Sequence, residues 1–263
     1  MSTPVRLRLR RAARVAGFGA VTAAMLPAYA IRDALARPHD RDEIRDRWIA
    51  TWCTALLGLF AVHVDVRGEP ASAAGRGRLV VANHRSTIDI ALLLRTFGGH
   101  MVSRADLSRW PLIGAAARRV GTVFVDRADA MSGASAVRAM RDLLQRGRTV
   151  IVFAEGTTFA DDVVRPFHGG AFVAAAGSGA QIIPVGIAYE RGSGAAFVDE
   201  SFPQHLARMS AADPTRVVMN IGAPIVAAER IRSVRLREQT QNAVQSLVDE
   251  ARSLCDRQPP PTK

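Results

Sequence analysis

From Gly77 onward the chain alternates short apolar runs with stretches of helical periodicity. The runs at 79–82, 101–103, 122–125, 149–153, 182–188 and 217–221 have the length and β-branched content of buried strands. Helical spacing covers 87–97, 107–118, 131–145, 169–176 and roughly 227–255. This alternation predicts an α/β fold, a mostly parallel sheet flanked by helices. The first seventy residues differ. Two apolar runs, 15–31 and 48–64, each about 17 residues long, flank the charged bridge 32–47. That length is at the short edge of what crosses a bilayer. The expected organisation is a membrane-associated helical pair over 1–70, a catalytic domain over 71–257 and a disordered tail over 258–263.

Charge sharpens the reading of the N-terminus. Arg6, Arg8, Arg10, Arg11 and Arg14 precede the first apolar run, which suits the anionic, cytoplasmic side of a membrane. A signal peptide ending near Ala28-Tyr29-Ala30 and a pair of packed helices are the competing readings. The chain of 263 residues has a formal charge of +11, almost all from arginine. With no lysine-rich patch and no recognisable module, that charge does not predict nucleic-acid binding. Cys53 and Cys255 stand alone, without metal or redox spacing, and no metal is expected.

The strand at 79–82 runs into Asn83-His84-Arg85-Ser86-Thr87-Ile88-Asp89, which places a histidine five residues before an aspartate. In a continuous helix the two side chains would diverge by roughly 140°. They meet only if His84 stays outside the helix, Ser86 or Thr87 caps it, and Asp89 reaches back from the first turn. Asp89 would then hold the imidazole Nδ1–H and leave Nε2 to take a proton from a hydroxyl. Two further strands end in chemistry. Gly121-Thr122-Val123-Phe124-Val125-Asp126-Arg127 delivers an arginine suited to an anionic group. Phe153-Ala154-Glu155-Gly156-Thr157-Thr158 delivers a carboxylate, a glycine that permits close backbone approach, and two hydroxyls. Pro184, within the apolar run 182–187, marks a pocket-lining strand.

In this order and spacing the four blocks resemble the glycerolipid acyltransferase family, whose members carry HxxxxD, GxxFxxR, an FPEGTR-like block and an apolar segment around a proline. Looser likenesses lie at Ser103–Leu107 with Pro111–Gly114 and at Arg165–Phe172, and the resemblance spans roughly residues 48 to 225. It implies a glycerol-3-phosphate acyltransferase-like fold. It also implies transfer of a fatty acyl group from acyl-CoA or acyl carrier protein to the hydroxyl of a lyso-lipid, first of all 1-acyl-sn-glycerol-3-phosphate. His84 and Asp89 would be catalytic; Arg127, Glu155, Gly156, Thr157 and Arg104 would bind substrate, and no cofactor beyond the acyl donor is implied. The enzyme would sit on the cytoplasmic face of the cell membrane through its N-terminal helices, with membrane lipids as partners. Two departures bear on the acceptor. Ala154 stands where the family usually has proline, and Thr158 where many members have arginine. Arg127, Arg104 or Arg165 would have to compensate for a phosphate, and Glu-Gly-Thr-Thr also looks like members that acylate lyso-ornithine lipid. A lipid-binding protein without turnover is the reading of a different class, which an intact His84 and Asp89 disfavour.

Overall fold

The computed structural model describes residues 3–70, 75–110, 113–126, 128–227 and 232–257. The chain opens with α1 (Thr3–Leu35) and α2 (Arg41–Leu59), followed by β1 (Val62–Arg67), β2 (Arg78–Ala82), α3 (Ile88–Phe97) and β3 (His100–Arg104). A 3-10 turn (Ala105–Arg109) leads to α4 (Ile113–Arg119), β4 (Val123–Val125), α5 (Ala130–Gln145), β5 (Thr149–Phe153) and α6 (Gly170–Ala175). Then come β6 (Gln181–Tyr189), α7 (Phe202–Ala211), β7 (Thr215–Ile221), β8 (Ile225–Val226) and α8 (Ser233–Arg257). The strands form one sheet in the order β1-β7-β6-β2-β5-β3-β4, with β8 also on β6. The five strands from β6 to β4 run parallel, so their carboxyl ends share one edge. Strand β7 is antiparallel to β6 and carries β1 parallel beside it.

Side-chain alternation along the strands builds a core on each face. Val80, Ala82, Ile151 and Ile187 pack with Ile49, Cys53 and Leu57 of α2, and with Leu92, Leu93 and Phe97 of α3. Leu79, Val81, Val150 and Ile182 pack with Met140 and Leu144 of α5, Phe172 of α6, and Val244 and Val248 of α8. At Gly186 the approach of α8 is so close that a Cβ would lie 2.3 Å from the Leu247 carbonyl carbon and 2.4 Å from the Val248 nitrogen. Neither backbone atom can step aside. Gly186→Ala is expected to destabilise the fold by about 1–3 kcal/mol, read as a lower urea midpoint.

The N-terminal expectation needs correction. The run 48–64 is not one continuous helix: its helical part lies in α2, and its end forms β1, paired to β7. Its apolar side chains Ile49, Cys53, Leu56 and Leu57 are buried against the protein, while Thr51, Thr54 and Gly58 face outward. The sheet therefore begins before residue 70, and 41–67 share its core. Helix α1 is different. It is long and apolar enough to cross a membrane, and its surface is mostly exposed. It also packs along α2, with Trp52 donating to Thr22 (3.1 Å) and the Tyr29 and Trp48 rings 6.4 Å apart. The buried Arg14 guanidinium donates to two helix ends, to Leu59 O, the last of α2, at 3.0 Å and to Ala212 O, just past α7, at 2.7 Å. The expected tail, 258–263, lies outside the described residues. Strand β8 and helix α7 were not foreseen, and the helix expected over 107–118 is split into the 3-10 turn and α4.

Candidate active site

The parallel strands deliver His84, Arg104 and Glu155 to the same edge of the sheet. Just past β2, Asn83 is buried and binds the Ile187 backbone twice, through Nδ2 to the carbonyl (2.9 Å) and through Oδ1 from the amide (2.8 Å). That double bond ties the exit of β2 to β6 and sets the direction of the next residue. The His84 amide donates to Glu155 Oε1 at 2.8 Å, and its carbonyl accepts from Phe159 N at 3.0 Å. Its ring lies flat on Phe153, the last residue of β5, with centroids 3.7 Å apart and planes 5° apart.

Asp89, in the first turn of α3, is fully buried. Its Oδ2 lies 2.9 Å from His84 Nδ1 and accepts from the amides of Arg85 (2.7 Å) and Ser86 (2.8 Å). Its Oδ1 accepts from the Tyr189 hydroxyl. Of the two expected caps, Ser86 supplies a side-chain bond and Thr87 does not. Ser86 Oγ accepts from Ile88 N at 3.2 Å, and Asp89 itself satisfies the preceding amides. A carboxylate that accepts at Oδ2 requires the proton of His84 on Nδ1, which leaves Nε2 as the lone-pair nitrogen. The His84 side chain keeps 16% of its surface exposed while that of Asp89 keeps none. Burial and the neighbouring Asp89 push the Tyr189 phenol well above its ordinary pKa, so it stays a neutral donor.

Glu155 is buried and spends both oxygens on backbone, Oε1 on His84 N and Oε2 on Arg165 N (2.9 Å). Burial raises its pKa, opposed by those two amide donors. Its geometry is that of a brace joining two loops rather than of a group turned to a substrate hydroxyl. Glu155→Gln would present an NH₂ to one of these N–H groups. The loss of one charge-assisted bond is expected to lower stability by about 1.5–3 kcal/mol in denaturant titration.

Gly156 takes φ +86°, a left-handed turn that brings Thr157 to the surface on the same loop. Arg104 reaches the edge but is exposed and paired with Asp106 through two bonds of 3.0 Å, so it is not brought to the dyad. Arg127 lies outside the described residues, two positions past the end of β4. Arg165 is brought in through its backbone; its guanidinium pairs with Asp161 at 2.6 Å and stands 4.9 Å from the Phe159 ring centroid. Three contributors escaped the sequence reading: Asn83, Tyr189 and Arg85, whose guanidinium is held by Asp162 and the Ala160 carbonyl. Tyr189 closes β6 a hundred residues from its partner, and no local pattern announces it.

Comparison with known proteins bears on the family and the fold. Residues 63–188 match the family model described as Acyltransferase. The chain is 32% identical over 247 residues to a lyso-ornithine lipid O-acyltransferase of Pseudomonas aeruginosa, covering 91% of this chain and 93% of that one. It is 25% identical over 211 residues to a 1-acyl-sn-glycerol-3-phosphate acyltransferase of Neisseria meningitidis, covering 78% and 82%. The fold is similar to the crystal structure of the 1-acyl-sn-glycerophosphate (LPA) acyltransferase PlsC from Thermotoga maritima. That likeness has a TM-score of 0.74 at 23% identity and covers 95% of this chain and 98% of that one.

Proposed function

The chain belongs to the acyltransferase family, and we propose that it moves a fatty acyl group from a thioester donor to the free hydroxyl of 1-acyl-sn-glycerol-3-phosphate, giving phosphatidic acid. The observation that carries this reading is the His84–Asp89 pair, 2.9 Å apart, with its aspartate sealed in and its histidine still open on one side. His84 Nε2 takes the hydroxyl proton as that oxygen attacks the thioester carbonyl. The tetrahedral intermediate collapses, the C–S bond breaks, and the imidazolium returns the proton to the departing thiolate. Ester and free thiol are the products, and no electron changes hands. Neither cysteine is placed for a covalent intermediate: Cys53 is buried among α2 side chains with its thiol pKa pushed up to about 12, and Cys255 is buried on α8.

The donor is proposed to be acyl-CoA or acyl carrier protein, with no cofactor beyond it. A second acceptor, lyso-ornithine lipid, is favoured by the Pseudomonas relative. The enzyme is proposed to work at the cytoplasmic face of the membrane. Support comes from α1, where Val5, Leu7, Leu9, Val15, Ile31 and Leu35 are exposed beside the exposed Arg6, Arg8 and Arg11. Because α1 is tied to the domain at Arg10–Asp213 (3.1 Å) and at Arg119–Asp33 (3.0 Å), we favour a helix lying in the interface over one that crosses it.

The test offers labelled acyl-CoA and acyl carrier protein to lysophosphatidic acid and to lyso-ornithine lipid, in membranes containing the protein. Formation of phosphatidic acid supports the first reading. Transfer to lyso-ornithine lipid alone moves the acceptor to the second. Silence with every pair would overturn both.

A further inference from the structure

The segment from Glu190 to Ser201, between β6 and α7, crosses the carboxyl edge of the sheet and is pinned along its length. Arg208 of α7 holds the carbonyls of Gly194 and Ala196. Glu200 accepts from His205 Nδ1 at 2.8 Å and from Arg208. At its centre Phe197 makes three contacts. Its amide donates to the Arg85 carbonyl at 2.7 Å, its carbonyl accepts from Thr158 Oγ1, and its ring lies 4.7 Å from that of His205. One residue of this strap therefore joins the loop after β2 to the loop after β5.

Arg85 is the residue on which this matters. Its amide donates to Asp89 Oδ2 and its carbonyl is held by Phe197, so the unit following His84 is fixed at both ends. Phe197 in turn is fixed by the Thr158 hydroxyl. The chain of bonds runs Thr158, Phe197, Arg85, Asp89, His84. An arginine at 158 has no short hydroxyl to offer Phe197, and a valine has the shape of threonine without the donor.

Resting on the acyl-transfer reading, we infer that Thr158 is a positioning residue that locks the strap at Phe197 and through it holds the His84–Asp89 loop in register, rather than a ligand for the acceptor headgroup. This gives the departure at position 158 a role. A bond to the strap occupies the position where many family members carry a cation.

Thr158→Val, Thr158→Ser and Thr158→Arg separate the possibilities, assayed with both lysophosphatidic acid and lyso-ornithine lipid. The valine variant is expected to lose about tenfold in kcat on whichever acceptor is used, with KM little changed, because a slightly misplaced base slows chemistry without weakening binding. Serine, which keeps the hydroxyl, is expected to restore the rate. Arginine is expected to behave like valine on both acceptors. Amide hydrogen exchange at Phe197, the donor to Arg85, is expected to quicken in the valine and arginine variants and not in the serine variant. This readout needs no turnover, so it tests the strap even if neither acceptor is used and the acyl-transfer reading fails. An unchanged kcat and unchanged Phe197 exchange in the valine variant would overturn the inference. So would a lowered KM for lysophosphatidic acid alone in Thr158→Arg, which would make position 158 a headgroup contact.

Discussion

Replacing His84 with alanine is expected to lower kcat for acyl transfer by about 100- to 10,000-fold, the range over which a positioned general base acts. The loss should fall on kcat and kcat/KM alike, because Nε2 takes the hydroxyl proton only as the new C–O bond forms. Binding rests on other groups, so KM for donor and acceptor should move little. The fold should survive. His84 contributes a partly exposed ring over Phe153, whereas the backbone bonds to Glu155 and Phe159 use its amide and carbonyl, which alanine retains. Circular dichroism and the urea midpoint check that point, and labelled acyl transfer with purified His84→Ala checks the rate. A variant as active as the parent would remove the base from the mechanism and leave the dyad as a structural pairing.

How far this site was visible beforehand depends on how local each relation is. Strands β2 and β5 were read almost to the residue because each is a continuous apolar run ending in polar side chains, the pattern of a strand buried on both faces. His84 and Asp89 were legible for the same reason: a strand end fixed the histidine outside α3, and five residues of spacing placed the aspartate in its first turn. Strand β1 was not legible, since the run's one glycine, Gly58, lies inside α2 and the left-handed turn into the strand falls on a non-glycine, Ala61, at φ +53°. Helix α7 did carry a signal, the box of Ser201 and Gln204, whose side chain accepts from the Ser201 amide at 2.8 Å. The roles of Glu155 and Tyr189 were beyond reach because each is defined by a partner far along the chain: His84 from 71 residues away, Asp89 from 100. Residue type announced that Glu155 carries charge. Only the fold shows that the charge is spent on two backbone amides.

Asp89→Asn tests the other half of the pair and is expected to lower kcat by about 100- to 10,000-fold. The amide is nearly the same size, so packing around α3 is kept, but it offers one acceptor where the carboxylate offers two. If its oxygen takes the Oδ2 position, the amides of Arg85 and Ser86 remain satisfied, while its NH₂ meets the Tyr189 hydroxyl. The imidazolium that forms during transfer then faces a neutral group instead of a carboxylate. If the amide turns over, its NH₂ confronts Arg85 N–H, Ser86 N–H and His84 Nδ1 together. The ring must then carry its proton on Nε2, the nitrogen needed as base. Either orientation slows the reaction through His84. This gives a sharper test than either single variant. In the His84→Ala background, Asp89→Asn should add almost nothing to the loss, because the group it orients is gone. Stability should behave differently. The two backbone donors and Tyr189 remain in both backgrounds, so Asp89→Asn should still destabilise the protein without the histidine, by about 1–3 kcal/mol less the share carried by the His84–Asp89 bond. Rate losses that added in the double variant would mean that Asp89 acts on turnover by a route that does not pass through His84.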